Sequence, residues 1–373
     1  MTRPSSPQVN FLETIVRSLA QAGEKPVLQE IHDGRIVSAC GGELLALVRT
    51  ARAFLARAGL KKGDRCALLG HNSIRWAALD LALMAEGIIV VPLYSRQAPP
   101  ELVGMMKDSS PAVVCCGDAA LRDAIARNWP EAPRLVLFEE IFAAGADTSN
   151  VADTPSSLAE GSPVTIIYTS GTSGEPKGVV LTVGNLNHML PCTCARLDLL
   201  MGARPGQDRV FHYLPFCFAG SWILLLTSLS RASRLALSTD LTKLVDEMKL
   251  AAPDYFLNVP ALLERVRTSV EDQLSQRGGF VLRLYQKGKA AWLRRRAGQA
   301  TALDSLWVAL ASAVVFRSIR KKLGPDLKAL LCGSAPLHKE TQLFFLMLGL
   351  PVLQVYGLTE TTAICTLDHP RSV

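Results

Sequence analysis

The chain has 373 residues, 49% apolar and 20% charged, with a formal net charge of +7. That balance excludes a disordered or fibrous chain and fits a globular α/β protein. The length exceeds the roughly 250–300 residues at which single hydrophobic cores stop growing, so two or three subdomains are expected. The opening "MTRPSSPQVNFLETIV" has one early arginine and no apolar stretch of signal-peptide length, so secretion is not expected. Nine cysteines occur without a CxxC pair; the closest spacings, Cys115-Cys116 and Cys192-x-Cys194, cannot form a zinc half-site. They are expected to be reduced thiols in a cytoplasmic protein.

Residues 10–142 alternate helical and strand patterns. "GELLALVRTARAFLARAGL" places Leu44, Leu45, Val48, Phe54 and Leu55 on one side of a helix, and the strand "RCALLG" follows. The helix "SIRWAALDLALMAEG", closed by Gly87, leads to the strand "IIVVPLY". "PPELVGMMKDS" with "AVVCCGD", then "AALRDAIARNW" with "RLVLFEE", repeat the plan. Strands separated by helices of this length predict right-handed βαβ units and a mostly parallel sheet. Residues 143–163 are small, polar and rich in Gly, Pro and Ser, which predicts a linker, so 10–142 and 164–373 are expected to be two α/β subdomains. In the second, "RVFHYLPF", "SRLALS", "DYFLNVP", "LKALLCG" and "PVLQVYG" are the expected strands, with helices at "TDLTKLVDEMKLAA" and "PALLERVRTSVEDQLS".

The segment from about 276 to 323 differs, being helical, basic and without strand patterns, and reads as an insertion. Its apolar run Leu306 to Phe316 falls short of the ~18–20 residues that cross a bilayer, so no span is expected. "WLRRR" at Trp292 to Arg296 and "RSIRKKLG" at Arg317 to Gly324 flank that run. The pattern is that of a solvated charged helix face or of peripheral contact with anionic lipid at the inner membrane face. No aromatic-rich basic strand or zinc-finger spacing supports nucleic acid.

The second subdomain opens with "YTSGTSGEPKG", Tyr168 to Gly178, directly after the apolar run "PVTII". Glycines let backbone NH groups approach oxygen closely, Thr169, Ser170, Thr172 and Ser173 add hydroxyl donors, and Lys177 adds a mobile positive charge. The chemistry suits a polyphosphate; a Ser/Gly-rich surface turn would share the composition. The GxxxxGK[ST] signature is not met, because Pro176 precedes Lys177 and Gly178 follows it, and no GxGxxG follows the first strand.

Together with "LPFCFAGSW" (Leu214 to Trp222), "LCGSAPL" (Leu331 to Leu337) and "YGLTET" (Tyr356 to Thr361), this loop resembles, in order and approximate spacing, the motifs of the adenylate-forming enzymes. That family contains acyl-CoA synthetases, firefly luciferase and the adenylation domains of peptide synthetases. The resemblance covers about residues 10 to 368. It implies two stacked, mostly parallel sheet subdomains with flanking helices, and a carboxylate that attacks the α-phosphate of ATP to give an acyl-adenylate. By resemblance, the loop Thr169, Ser170, Gly171, Thr172, Ser173, Gly174 and Lys177 cradles the β- and γ-phosphates, and Thr169 with Glu360 holds magnesium. Thr359 bonds the α-phosphate. Tyr356 stacks on adenine or is a core aromatic, beside Gln354, Val355 and Gly357, with Gly333, Ser334, Ala335 and Pro336 lining the other side. Lys177, Thr359 and Glu360 are the expected catalytic groups.

The expected substrates are a long-chain fatty acid, ATP and coenzyme A. "DYFLNVPALLERV" offers no aspartate suited to an amino group, since Asp254 precedes the strand, and the basic insertion resembles the long-chain acyl-CoA synthetases. Phe216, Phe218, Trp222, Ile223 and Leu226 either line an apolar slot for the alkyl tail, each buried CH₂ contributing roughly 0.8 kcal/mol, or fill core. Phe218 stands where many members carry histidine in "LPxxHxxxW". Another acid or acceptor, or a non-catalytic nucleotide- or lipid-binding protein, remains open. Family members continue well beyond "YGLTET", into a small C-terminal domain that carries a further lysine. The expectation is therefore an N-terminal portion that forms acyl-CoA far more slowly than a complete relative.

Overall fold

Short runs of consecutive apolar residues become buried parallel strands, and their placement in two sheets positions the candidate site. A computed structural model describes residues 10–143, 147–152, 154–170, 175–202 and 206–370, with the side chain of Ser170 left out. Gly171, Thr172, Ser173 and Gly174 lie outside the described residues.

In chain order, α1 (Phe11–Ala22) is capped by Asn10, whose side chain accepts from the Leu12 NH at 3.0 Å, and a hairpin follows, β1 (Pro26–His32) and β2 (Arg35–Cys40). Then come α2 (Gly41–Arg57), β3 (Arg65–Leu69), α3 (Ile74–Ala85), β4 (Ile89–Leu93), α4 (Pro99–Ser109), β5 (Val113–Cys116), α5 (Ala119–Asn128), β6 (Arg134–Leu137) and α6 (Phe138–Ile141). A second hairpin, β7 (Pro163–Ser170) and β8 (Pro176–Thr182), precedes α7 (Val183–Met201), β9 (Arg209–His212), α8 (Ala219–Ser230), β10 (Arg234–Leu237), α9 (Leu244–Ala251) and β11 (Tyr255–Asn258). The chain continues through α10 (Pro260–Arg277), α11 (Gly279–Arg296), α12 (Ala302–Ala311), a π-helical turn (Ser312–Phe316) and α13 (Arg317–Leu323). It closes with β12 (Ala329–Cys332), α14 (Lys339–Met347), β13 (Val352–Tyr356), a 3₁₀ turn (Thr359–Thr361) and β14 (Thr366–Leu367).

The first sheet runs β6-β5-β3-β4-β7-β8 and the second β14-β13-β12-β11-β9-β10-β1-β2. Most neighbours are parallel; the antiparallel pairs are β7/β8, β1/β2 and β13/β14. This corrects the division at 143–163. The hairpin β7-β8 follows that linker yet completes the first sheet beside β4, while β1-β2 precedes it yet joins the second, with Leu28 opposite Leu235 on β10. Each hairpin supplies an antiparallel edge to a parallel sheet, so sheet membership crosses the linker.

The insertion is helical, as expected, but its apolar run does not end at Phe316. Residues Ala302–Leu323 form one 22-residue helix, long and apolar enough by length and composition to cross a membrane. The expectation of a run too short to span is corrected, because the π turn carries the helix past Phe316 into the basic α13.

Between the sheets, α8 carries no charged residue and is buried nearly all round, as expected of a core helix. Trp222 donates its indole NH to the fully buried Asp80 carboxylate of α3 at 2.9 Å, and the Trp76 and Phe216 rings lie 5.2 Å apart. Asn72 clips the turns that follow β3 and β9: its amide donates to the Leu214 carbonyl at 2.8 Å and accepts from the Phe216 NH at 2.8 Å.

Burial pushes the Asp80 carboxyl up to about 7. Its usual value is about 3.9, so between those values the folded chain keeps a proton that the unfolded chain releases, and stability falls as pH rises through that window. Asp80→Asn should therefore match the parent below about pH 4 and gain on it toward neutrality, by on the order of 1–3 kcal/mol. Urea midpoints of the two proteins at both ends of the window check this; a constant difference would contradict it.

Candidate active site

In the hairpin β7-β8, Thr169 stands opposite Lys177 and Ser170 opposite Pro176, so the ladder brings the hydroxyl and the cation together at the mouth of the loop. Lys177 is exposed and Thr169 half-buried. The loop is held at its base by Tyr168, whose hydroxyl donates to Asp108 of α4 at 2.5 Å.

The second sheet delivers the other motifs. After β12 the chain turns at Gly333, whose NH donates to the Asn258 carbonyl at 3.1 Å, and at Ser334, which adopts a left-handed φ of 73°. A left-handed serine costs free energy of the kind that clusters at functional sites. After β13, the chain passes Gly357 into the 3₁₀ turn and returns as β14. A Cβ on Gly357 would lie 2.0 Å from the Ala363 carbonyl oxygen, so only glycine permits this close approach. The Ala363 and Thr361 NH groups both donate to the Leu358 carbonyl, at 2.9 and 3.0 Å, closing the turn that carries Thr359 and Glu360. That turn packs against β8, the strand of Lys177.

These elements enclose a cavity of about 480 Å³. Thr169, Gly333, Ser334, Gly357, Thr359 and Glu360 are among the residues that line it. Its apolar lining includes Leu197 of α7, Ile223 and Leu224 of α8, Leu257, Leu331 and Ile364. An amphipathic cavity of this kind accommodates a molecule with a charged head and an apolar tail.

Of the other expected nucleotide residues, Val355 also lines this cavity. Tyr356 is 65% exposed, which excludes the core-aromatic alternative. Ala335 and Pro336 are exposed beside the cavity, and the Gln354 NH donates to the Asp368 carboxylate at 3.0 Å, which closes β13 onto the chain beyond β14. Of the five expected tail-contacting residues, Phe218 and Ile223 line the cavity. Phe216, Trp222 and Leu226 do not: they are fully buried, so for these three the slot is corrected to core, and Trp222 on α8 turns toward α3, where its indole NH meets Asp80. Gly220, Ile223 and Leu224 are on the face that meets the cavity.

Sequence reading missed Thr193 and Leu197. Their signal was present, since Leu186, Leu190, Thr193 and Leu197 recur at helical spacing in "LNHMLPCTCARL". Phe218, where the resemblance expects histidine, is 46% exposed with its ring 5.6 Å from that of Tyr94. It also borders a second cavity of about 290 Å³ with His71 and Arg96. Burial and the neighbouring Arg96 charge both lower the His71 pKa.

Among the described residues no group of three or more His, Cys, Asp or Glu is placed to hold a metal. Zinc- or iron-type sites need such a set. A magnesium ion does not, because it is held by one or two carboxylates with phosphate oxygens and water, and Glu360 and Thr169, which line the same cavity, fit that donor set.

A family model for AMP-binding enzymes matches residues 16–373. Long-chain-fatty-acid--CoA ligase FadD15 of Mycobacterium bovis is 26% identical over 352 residues, covering 90% of this chain and 58% of the relative. Long chain acyl-CoA synthetase 8 of Arabidopsis thaliana is 26% identical over 397 residues, covering 96% of this chain and 54% of the relative. The chain thus spans a little over half the length of these relatives. Among solved structures, the inhibitor-bound N-terminal domain of FACL13 from Mycobacterium tuberculosis superposes with a TM-score of 0.71 at 21% identity, covering 97% of this chain and 79% of that one.

Proposed function

Since the chain belongs to the AMP-binding enzymes, we propose that its cavity activates a long-chain fatty acid with ATP and passes the acyl group to coenzyme A. The observation that carries this reading is the cavity itself, whose lining combines hydroxyls and a carboxylate with leucine and isoleucine side chains. A carboxylate oxygen attacks the α-phosphorus of ATP, pyrophosphate leaves, and the mixed anhydride is then attacked at its carbonyl by the thiol, releasing AMP.

Neither step needs a covalent protein intermediate, so the protein's work is to orient the reactants and stabilise the charge that develops. Lys177 and the loop Thr169, Ser170, Gly171, Thr172, Ser173 and Gly174 would meet the β- and γ-phosphates. Thr359 would donate to the α-phosphate, and the exposed Tyr356 ring would cover one face of the adenine opposite Gly333, Ser334, Ala335 and Pro336. Magnesium, held by Glu360 and Thr169, would neutralise charge on the phosphate oxygens when bound. The tail would extend past Ile223 and Leu224 toward Leu197, with each buried methylene adding about 0.8 kcal/mol, about fourfold in affinity.

That path makes a chain-length prediction. A Cβ on Gly220 would meet nothing closer than the Leu257 side chain at 3.9 Å, so a larger residue is admitted to the helix but projects into the cavity. Gly220→Leu should move the preferred acid to shorter chains and weaken the longest by about an order of magnitude. Pyrophosphate release across saturated acids of graded length tests both the reading and the path. A parent profile peaking at very short or aromatic acids overturns the long-chain assignment. A Gly220→Leu profile identical to the parent's overturns the path.

A further inference from the structure

We propose that the helical insertion docks flat on an anionic lipid surface through the outer face of α12 and α13. On this 22-residue helix, Leu303, Leu306, Leu310 and Val314 are 64, 53, 43 and 52% exposed. Their spacing places them on a single face, about 16 Å long at 1.5 Å per residue. The opposite face, Asp304, Ala311, Val315 and Ile319, is buried against the body of the protein. A surface helix is usually apolar inside and polar outside; here the outer face is apolar as well.

Charge selects the occupant. Asp304 is the only acidic residue between Gly279 and Leu323, where ten Lys and Arg occur, leaving 30 cationic against 32 acidic residues in the rest of the chain. The chain's positive charge therefore resides in this insertion. Asp304 is itself buried and paired with Arg294. The exposed residues Arg295 and Arg296 stand at one end of the stripe, where α11 hands over to α12, and Arg317, Lys321 and Lys322 at the other. An apolar stripe bracketed by cations matches lipid headgroups of negative charge over an acyl layer.

The helix is long enough to span, but its attachments hold it against the body. Arg320 donates to the carbonyls of Gly349 and Leu327, both at 2.6 Å. The Tyr285 and Phe316 rings meet edge to face at 6.2 Å. At the crossing of α11 and α12, a Cβ on Gly288 would lie 2.2 Å from that of Ala311. Insertion would break these contacts; lying in the headgroup plane breaks none. The inference does not depend on the proposed reaction.

The test is flotation of the whole chain with phosphatidylcholine vesicles, with and without phosphatidylglycerol, at low and high salt. The parent should float with the anionic vesicles at low salt, and high salt should release it. Leu306→Asp with Leu310→Asp, and separately Lys321→Glu with Lys322→Glu, should each weaken binding by about tenfold or more. All these side chains are exposed, so the melting temperature should match the parent's. A parent that fails to float, that binds neutral vesicles equally, or whose variants bind like it overturns the proposal. So does a parent dimer that the leucine variant converts to monomer while vesicle binding is unchanged, since the stripe would then join two copies of the chain.

Discussion

Replacing Lys177 with alanine, or Glu360 with glutamine, should lower ATP-dependent adenylation by about two to three orders of magnitude while the melting temperature stays at the parent value. Both side chains are exposed, and neither is part of the core, so their removal leaves no cavity and no buried group without a partner. Their value arises only when phosphate is present. Lys177, opposite Thr169 on the hairpin, would supply a cation to oxygens that gain charge as pyrophosphate departs. Glu360 is fixed by the closed turn after β13, which packs on the strand of Lys177, so in the proposed complex the two groups would face the same phosphates from different sheets. The variants should also differ from each other. Glu360→Gln should raise the magnesium concentration needed for activity, whereas Lys177→Ala should leave that requirement unchanged and weaken ATP. Pyrophosphate release measured across magnesium and ATP concentrations separates the two. Variants that adenylate like the parent would remove both residues from the site.

The motif residues were legible because their chemistry is local. A loop of hydroxyls, glycines and a lysine after an apolar strand suits an anion whatever its distant neighbours are, and the other three motifs are equally short strings. The strands "CALL", "IVVPL" and "VVCC" were legible for a similar reason, since parallel strands buried on both faces read as continuous apolar runs. Sheet membership was not legible. Leu28 pairs with Leu235, and no local pattern encodes a partner so far along the chain. Nor does the linker at 143–163 mark a sheet boundary, because β7-β8 returns to the sheet that precedes it.

The apolar lining of the cavity was half legible. In "WILLL", Trp222 to Leu226, every position is apolar, so the sequence carries no periodicity to say which side of α8 meets the cavity. The outcome, Ile223 and Leu224 toward it and Trp222 away, is set by packing against α3 through the Trp222–Asp80 hydrogen bond. The insertion misled differently. Its apolar run ends at Arg317 in the sequence, but a helix does not end at an arginine, and the continuation into α13 made one long element with an exposed apolar face.

The central claim is that one cavity binds both the nucleotide and the acyl tail, and Gly357 gives it a sharp test. A Cβ there would press within 2.0 Å of the Ala363 carbonyl oxygen and 2.6 Å of its carbon. Backbone cannot yield that distance cheaply, so Gly357→Ala must open the turn that the Leu358 carbonyl closes and displace Thr359 and Glu360 with it. The rest of the second sheet is untouched, so the variant should stay folded with a loss of about 1–3 kcal/mol. Its affinity for a ligand held by that turn should fall by about a hundredfold. The most direct measurement is calorimetric titration of the chain with a non-hydrolysable acyl-adenylate analogue, a long-chain acyl sulfamoyl-adenosine. The account predicts one-to-one binding to the parent, displaced by ATP and by long-chain fatty acid alike, and lost in folded Gly357→Ala. Absence of binding to the parent, or undiminished binding to Gly357→Ala, would contradict it.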